Sequence, residues 1–322
     1  MRALRFERTG SLDGLRLAEV PSPVPLKTEL LVRVAAAAVN PSDPKNVLGR
    51  MHETTVPRIP GRDFAGTVEQ GPAEWLGRSV FGTGGNLGFG RDGSHAEFVA
   101  VPLEAAVPMP RGVSFPQAAG IGLPYLTASA VVRDGAALLP GETILVLGAL
   151  GSVGGAVARL AHRAGARVIG VARTARDVAA APALPVDAWI DLESTELAAG
   201  CRALTAGRGA EVVFDPVGGD LFERCLAALA RRGRQVAIAS GGKPTVSFNL
   251  VDFYHNESRL IGVDSLKSSF AQAGQVLREL VPAFESGELP VPDVEAAPLE
   301  TGPEIYRQIE AGTLRKKFVL VP

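Results

Sequence analysis

Hydrophobic positions change rhythm roughly a third of the way along this chain. Up to about residue 120 they come in short runs cut by Pro and Gly. "LLVRVAAAAV" (30–39), "FAGTVEQ" (64–70), "RSVFGTG" (78–84) and "HAEFVAVP" (95–102) each read as a β-strand bounded by turns. "IPGRDFAG" (59–66) reads as strand, corner and strand, with Pro60 and Gly61 making the turn. Such spacing predicts a small barrel-like β-domain. From about 121 the apolar runs alternate with helix-length segments: "TILVLG" (143–148), "ARVIGVA" (166–172), "AEVVFD" (210–215) and "RQVAIAS" (234–240). Alternation of this kind predicts a parallel sheet covered on both faces, an α/β fold. Beyond about 263 a helical stretch, "SFAQAGQVLRELVPAFESG", precedes a last strand, "KKFVLVP", and the Pro-rich "SGELPVPDVEAAP" between them reads as an exposed loop.

The most informative chemistry lies where the second rhythm begins. Gly148, Gly151 and Gly154 form G-x-x-G-x-x-G between a strand and a helix. Val153, Ala156, Val157, Leu160, Ala161 and Ala164 repeat at helical spacing, and Gly165 ends the helix. Glycines there let the backbone turn sharply and approach a pyrophosphate, while the helix start, with Ser152 and Val153, offers free N–H groups. A Gly-rich turn seated in a full strand–helix–strand unit is a far stronger sign of a dinucleotide than an isolated one. Which dinucleotide is read at the end of the next strand, where an acid would take the ribose hydroxyls. The tip here is Ala172, Arg173 and Thr174, with Arg176 just after and no carboxylate. Guanidinium groups at that place suit a 2′-phosphate, so the expected cofactor is NADPH. Asp177, one step further, reads as an early helix residue.

Bulk properties narrow the partners. The 322 residues are 46% hydrophobic and 21% charged with a net charge of −1, so no global field draws nucleic acid or an anionic membrane. No apolar run is long enough to span a bilayer, and "MRALRFERTG" lacks the apolar core of a secretory signal. Cys201 and Cys225 read as reduced thiols. A cytoplasmic protein with a small-molecule substrate is expected.

Taken together, "EVPSPVPLKTELLVRVAAAAVNPSD" (19–43), "IPGRDFAGTVE" (59–69), "GSHAEFVAVP" (93–102), "QAAGIGLPYLTA" (117–128), the glycine stretch, "VVFDPVGGDLFERCLAALARRGRQVAI" (212–238) and "KKFVLVP" (316–322) carry a resemblance. In order and spacing the chain resembles the medium-chain dehydrogenase/reductase superfamily, in its zinc-free quinone oxidoreductase branch. The resemblance implies a GroES-like β-barrel catalytic domain built from both chain ends (1–122 and 263–322). It also implies a Rossmann domain with a doubly wound parallel sheet (123–262), a cofactor in the cleft, and homodimers formed through the edge of the Rossmann sheet. Against the zinc-dependent relatives, Asn40 stands where a Cys ligand is found and Arg62 where a His ligand is found. The lobe that would hold four Cys is cut to "TGGNLGFGRDG" (83–93). No Cys precedes Cys201, and His52, His95, His162 and His255 are scattered, so no zinc is expected.

Without a Lewis acid an alcohol is hard to activate, whereas a quinone or an α,β-unsaturated carbonyl already accepts hydride. Positioning and donors for the developing oxyanion then suffice. By resemblance, Asn40 and Asp43 lie on the cleft floor near the nicotinamide, and Thr127 meets its ribose or ring. Asn40 serves either the ligand or the turn before Pro41; Asp43 either the site or a partner such as Arg62; Tyr125 either an oxyanion or the cleft wall. Main chain at "ASGG" (239–242), with Ser240 and Gly241, is expected to approach the cofactor, and "GVDS" (262–265), with Val263 and Asp264, to pass the carboxamide. Two rival readings stay open. One is a reductase of 2-enals, enones or 2-enoyl thioesters, favoured by "GVDSL" (262–266), which resembles the acrylyl-CoA reductase branch, and opposed by Pro41 where enoyl-thioester relatives often carry Tyr. The other is a catalytically silent NADPH-binding protein.

Overall fold

A hairpin opens the chain: β1 (Arg2–Arg5) pairs antiparallel with β2 (Arg16–Glu19). In the computed structural model, which describes residues 1–179, 183–241, 243–314 and 316–322, the main strands follow the apolar runs closely. β3 (Glu29–Ala38), α1 (Ser42–Val47), β4 (Phe64–Gln70), β5 (Ser79–Gly82), β6 (Phe98–Pro102), β7 (Val107–Pro108) and α2 (Phe115–Ser129) make up the first third. Then come β8 (Thr143–Leu147), α3 (Ser152–Arg163), β9 (Arg167–Ala172), α4 (Ala175–Ala179), β10 (Ala188–Asp191) and α5 (Leu197–Leu204). β11 (Ala210–Asp215), α6 (Phe222–Ala227), β12 (Leu229–Ala237), α7 (Leu250–His255) and β13 (Arg259–Gly262) continue the alternation. α8 (Phe270–Glu285), β14 (Val294–Pro298), α9 (Gly302–Glu310) and β15 (Lys317–Val321) complete it.

Two compact units result, Met1–Leu126 with Ser265–Pro322, and Thr127–Asp264. In the first, a seven-stranded sheet runs β14-β15-β3-β4-β5-β7, with β6 also on β3. Leu30, Val32, Phe64, Val80 and Val101 fill its interior, while Leu4, Phe6, Val47, Tyr306 and Leu320 form a second cluster beneath α9. The Pro-rich segment expected as a loop contributes a strand instead. Val294–Pro298 pairs in parallel with Lys317–Val321 at the sheet's edge, where a terminal Pro removes no needed ladder bond.

The second unit holds a six-stranded, all-parallel sheet in the order β10-β9-β8-β11-β12-β13. The chain winds outward from β8 in one direction and from β11 in the other. The carboxyl ends of β8 and β11 therefore flank a topological switch point, where doubly wound sheets bind ligands. All five residues of β8 are buried, which explains its unbroken apolar run. Cys201 and Cys225 are core residues here, and burial pushes the Cys201 thiol up to about 11. Among the described residues no helix is long and apolar enough to cross a membrane.

One ion pair, with its arginine buried and its glutamate half-buried, pins β8. The Arg234 guanidinium on β12 donates to both carboxylate oxygens of Glu142, at 2.8 and 2.6 Å, and to the carbonyls of Ala136, Ala137 and Glu211. Glu142 immediately precedes β8. Removing it strands a buried cation, so Glu142→Ala is expected to destabilise the fold by about 3 kcal/mol. Denaturant unfolding of the variant beside the parent chain reads this directly, and a loss below about 1 kcal/mol would show the pair to be peripheral.

Candidate active site

At the end of β8 the backbone turns through Gly148, whose φ of +61° suits glycine. The Gly148 carbonyl accepts from the Gly151 N–H at 2.9 Å, and α3 starts at Ser152 with Gly151 as its cap residue. A Cβ on Gly154 would lie 2.1 Å from the Gly148 oxygen, so only glycine lets helix and turn close to this distance. Among the described residues no side chain caps α3. The N–H groups of Ser152, Val153 and Gly154 therefore lack side-chain acceptors at the positive end of a helix dipole. A Cβ at Gly151 would meet nothing within 4 Å but the Gly148 oxygen, at 3.3 Å, so the turn presents bare backbone. Such a cradle fits a pyrophosphate.

The second unit also carries the other expected cofactor residues. Arg173 and Arg176 are exposed, and neither is paired with a carboxylate among the described residues. Thr174 Oγ1 accepts from the Asp177 N–H at 3.1 Å, so Thr174 caps α4 and Asp177 sits in its first turn. Thr127 is buried near the end of α2. Ser240 Oγ donates to the Lys243 carbonyl, and the Gly241 N–H donates to the Val217 carbonyl at 2.7 Å. Gly242 lies outside the described residues. Val263 N–H bonds the Ala237 carbonyl at 3.0 Å just past β13, and Asp264 follows. Asp215, which the sequence reading did not single out, ends β11 and organises the neighbouring turn. Its carboxylate accepts from the Val217 and Gly218 N–H groups and from Gln235 Nε2.

The first unit holds a buried polar array. Asn40 is 2% exposed, and both ends of its amide are engaged. Nδ2 donates to Asp63 Oδ2 at 2.8 Å, and Oδ1 accepts from Lys317 Nζ at 2.5 Å. Lys317 Nζ also donates to the Val39 carbonyl at 3.0 Å. Asp63 Oδ1 accepts from the Leu123 N–H at 2.8 Å, and a Cβ on Gly122 would sit 2.6 Å from that oxygen. Asp43 Oδ2 accepts from the Asn40 N–H at 2.7 Å, while its Oδ1 has no hydrogen-bond partner among the described residues. Arg62 is fully enclosed, donates to the Ser265 carbonyl at 3.3 Å and lies over the Phe89 ring. Tyr306 Oη bonds His95 Nδ1 at 2.8 Å, and His95 Nε2 faces the Ala38 carbonyl. Because a carbonyl only accepts, Nε2 carries the proton, and burial lowers His95 to about 4, keeping it neutral. The Tyr125 ring is buried edge-to-face against Phe284 of α8.

Burial dominates the electrostatics of Asp43, raising it to about 7. The Asn40 N–H bond and the charges of Lys317 and Arg62 oppose that rise, and Asp63 adds to it. Burial likewise lowers Lys317, against the pull of Asp63 and Asp43. Lys317, Asp63 and Tyr306 belong to this array although their sequence neighbourhoods gave little sign of it. The one signal was a lysine opening the terminal strand, 277 residues from Asn40. No three His, Cys, Asp or Glu side chains converge as a metal site among the described residues.

Comparison with known proteins places this geometry. Residues 26–111 match the alcohol dehydrogenase GroES-like domain, and residues 152–280 match the family described as zinc-binding dehydrogenase. A zinc-type alcohol dehydrogenase-like protein of Schizosaccharomyces pombe is 36% identical over 295 residues, covering 90% of this chain and 86% of its own. Human quinone oxidoreductase is 26% identical over 97% of this chain and 95% of its own. The chain belongs to the medium-chain dehydrogenase/reductase superfamily, in its quinone oxidoreductase branch. It is an oxidoreductase of that family. Among solved members, a mycobacterial protein complexed with NADPH superposes with a TM-score of 0.88 at 26% identity over all of both chains. In this medium-chain oxidoreductase the second family match begins at α3, so Gly154 lies within it and Gly148 and Gly151 just before it.

The buried acid gives a pH prediction. Asp43 is raised in the fold above its unfolded value near 4, so the folded state binds more protons between the two. Its contribution to stability is complete below about pH 4 and is lost as pH rises to about 7. Relative to the parent, Asp43→Asn is expected to gain stability across that window, by at most about 1.4 kcal/mol per pH unit, and to level off above it. Urea titrations of both proteins from acid to neutral pH test this; a constant difference would contradict it.

Proposed function

We propose that this chain is an NADPH-dependent reductase that directs a hydride, without metal assistance, onto a quinone or another activated carbonyl. The observation that carries the reading is an uncapped helix start beside a strand whose tip carries Arg173 and no carboxylate, with Arg176 on the helix that follows. Gly148, Gly151, Ser152, Val153 and Gly154 would hold the pyrophosphate through backbone N–H groups. Arg173 and Arg176 would hold the 2′-phosphate, with Thr174 fixing the turn between them. Thr127, Ser240, Gly241, Val263 and Asp264 are assigned to the ribose and nicotinamide end. Bound NADPH supplies the hydride.

A divalent metal does not suit the array. The positions that hold metal in zinc relatives carry Asn40, with its amide engaged, and Arg62, a buried cation, and the half-buried Lys317 adds a further positive group. No step is therefore routed through zinc, and the acceptor must itself be electrophilic. Asn40, Asp43 and Tyr125 are assigned to the acceptor side, where they orient it and exclude water. A proton from solvent completes the reduction. We further propose a cytoplasmic homodimer. β13 is a sheet edge with exposed Leu260, beside Leu250, Val251 and Tyr254 on α7, and this surface suits a second copy.

Steady-state assays with 1,4-benzoquinone, 9,10-phenanthrenequinone, 2-alkenals and crotonyl-CoA test the acceptor, with quinone turnover expected to lead. Turnover of crotonyl-CoA alone would put the enoyl-thioester reading first, and tight NADPH binding without oxidation by any acceptor would leave a silent binder. For the cofactor, Arg173→Ala with Arg176→Ala is expected to weaken NADPH binding about 10- to 100-fold, as lost charge-assisted hydrogen bonds do, and to leave NADH nearly unchanged. Equal losses for both nucleotides, by fluorescence titration, would remove the 2′-phosphate assignment.

A further inference from the structure

The last strand reaches into the candidate site by register. β15 runs antiparallel to β3 with Val319 opposite Ala38, and the Val39 N–H donates to the Phe318 carbonyl at 3.0 Å. Continuing that register brings Lys317 opposite Asn40, just where β3 gives way to the turn before α1. Lys317 is half-buried, and its ammonium ends beside the start of that turn. There it touches Asn40 Oδ1 and the Val39 carbonyl.

This contact fixes which way the Asn40 amide faces. With Oδ1 on the Lys317 ammonium and Nδ2 on the Asp63 carboxylate, both contacts are attractive. A flipped amide would set N–H groups against a cation and an oxygen against an anion, two repulsions at once. Asn40 Nδ2 has two N–H groups and Oδ1 two lone pairs, so one donor and one acceptor remain in a fixed direction. Asp63 is itself held by the Leu123 N–H, and Gly122 leaves the room it needs. The ordering therefore runs from α2 through Asp63 to Asn40, and from β15 through Lys317 to the same amide.

We propose that Lys317 is a positioning residue for hydride transfer, which locks the Asn40 amide between its own ammonium and the Asp63 carboxylate and so aims the remaining Asn40 donor at the reacting partner. The inference rests on the proposed reading of Asn40 as a residue of the acceptor side of the site. It assigns no proton or electron to Lys317, whose part is orientation alone.

Two measurements on the full chain test it. In the cofactor-free protein labelled with 15N at asparagine, the side-chain amide signals of Asn40, assigned by their loss in Asn40→Ala, report the lock without any turnover. The parent and Lys317→Arg are expected to show one slowly exchanging pair, and Lys317→Met a shifted pair exchanging about 10-fold faster or more, since a lost partner opens the amide. With NADPH and a quinone, Lys317→Met is expected to lower kcat about 10-fold or more with KM for NADPH within about twofold, as a misplaced group does, and Lys317→Arg to restore most of it. If Lys317 acts through Asn40, adding Lys317→Met to Asn40→Ala costs nothing further. Should Lys317→Met not fold, Lys317→Gln, a neutral donor, takes its place in both measurements. Unchanged Asn40 signals, or additive kinetic losses, would overturn the proposal. Failure of the parent chain to turn over any acceptor would instead refute the reading of the site, and shows before any variant is made.

Discussion

Two carboxylates held out of water, Asp43 and Asp63, set the conditions that the β-rich unit has to meet. A buried anion is tolerable only when opposite charge and N–H donors surround it. Here the answer comes from three parts of the chain: the Asn40 backbone and amide, the Leu123 N–H on α2, and Lys317 on β15, with the Arg62 guanidinium enclosed close by. The site is therefore also a junction that fixes β3, α2 and β15 against one another within their unit.

The same charges shape the chemistry. An array that already contains the buried Arg62 and the half-buried Lys317 sets positive charge against a dication, and its one amide is held at both ends. What remains is one amide donor held in a fixed direction, which is what the proposed hydride acceptor would need. In the second unit the corresponding feature is a shortage rather than a surplus: a helix start whose N–H groups no side chain caps. One unit thus has anions answered internally, and the other keeps donors open for an anion from outside.

Much of this was legible in the residues because it is local. Periodicity located β3, β4, β8, β9, β11 and β12 within a few positions, and the glycine spacing located the turn whose closeness Gly154 permits. Three things were not legible. The edge strands β10 and β13 are short and half-exposed, so they carry little apolar signal. β14 sits in a Pro-rich stretch that propensity assigns to a loop. Lys317 meets Asn40 only through the pairing of β15 with β3, a contact between chain ends that no local pattern encodes.

The central claim is that geometry and fixed charges, not a metal ion, prepare the acceptor for hydride. Elemental analysis of the purified chain, joined to rapid mixing of its NADPH complex with 1,4-benzoquinone before and after chelation, tests this most directly. The account expects far less than one zinc per chain and the same rate of nicotinamide oxidation in both samples. One tightly held zinc per chain, with the rate lost on chelation and regained on adding the metal back, would contradict it.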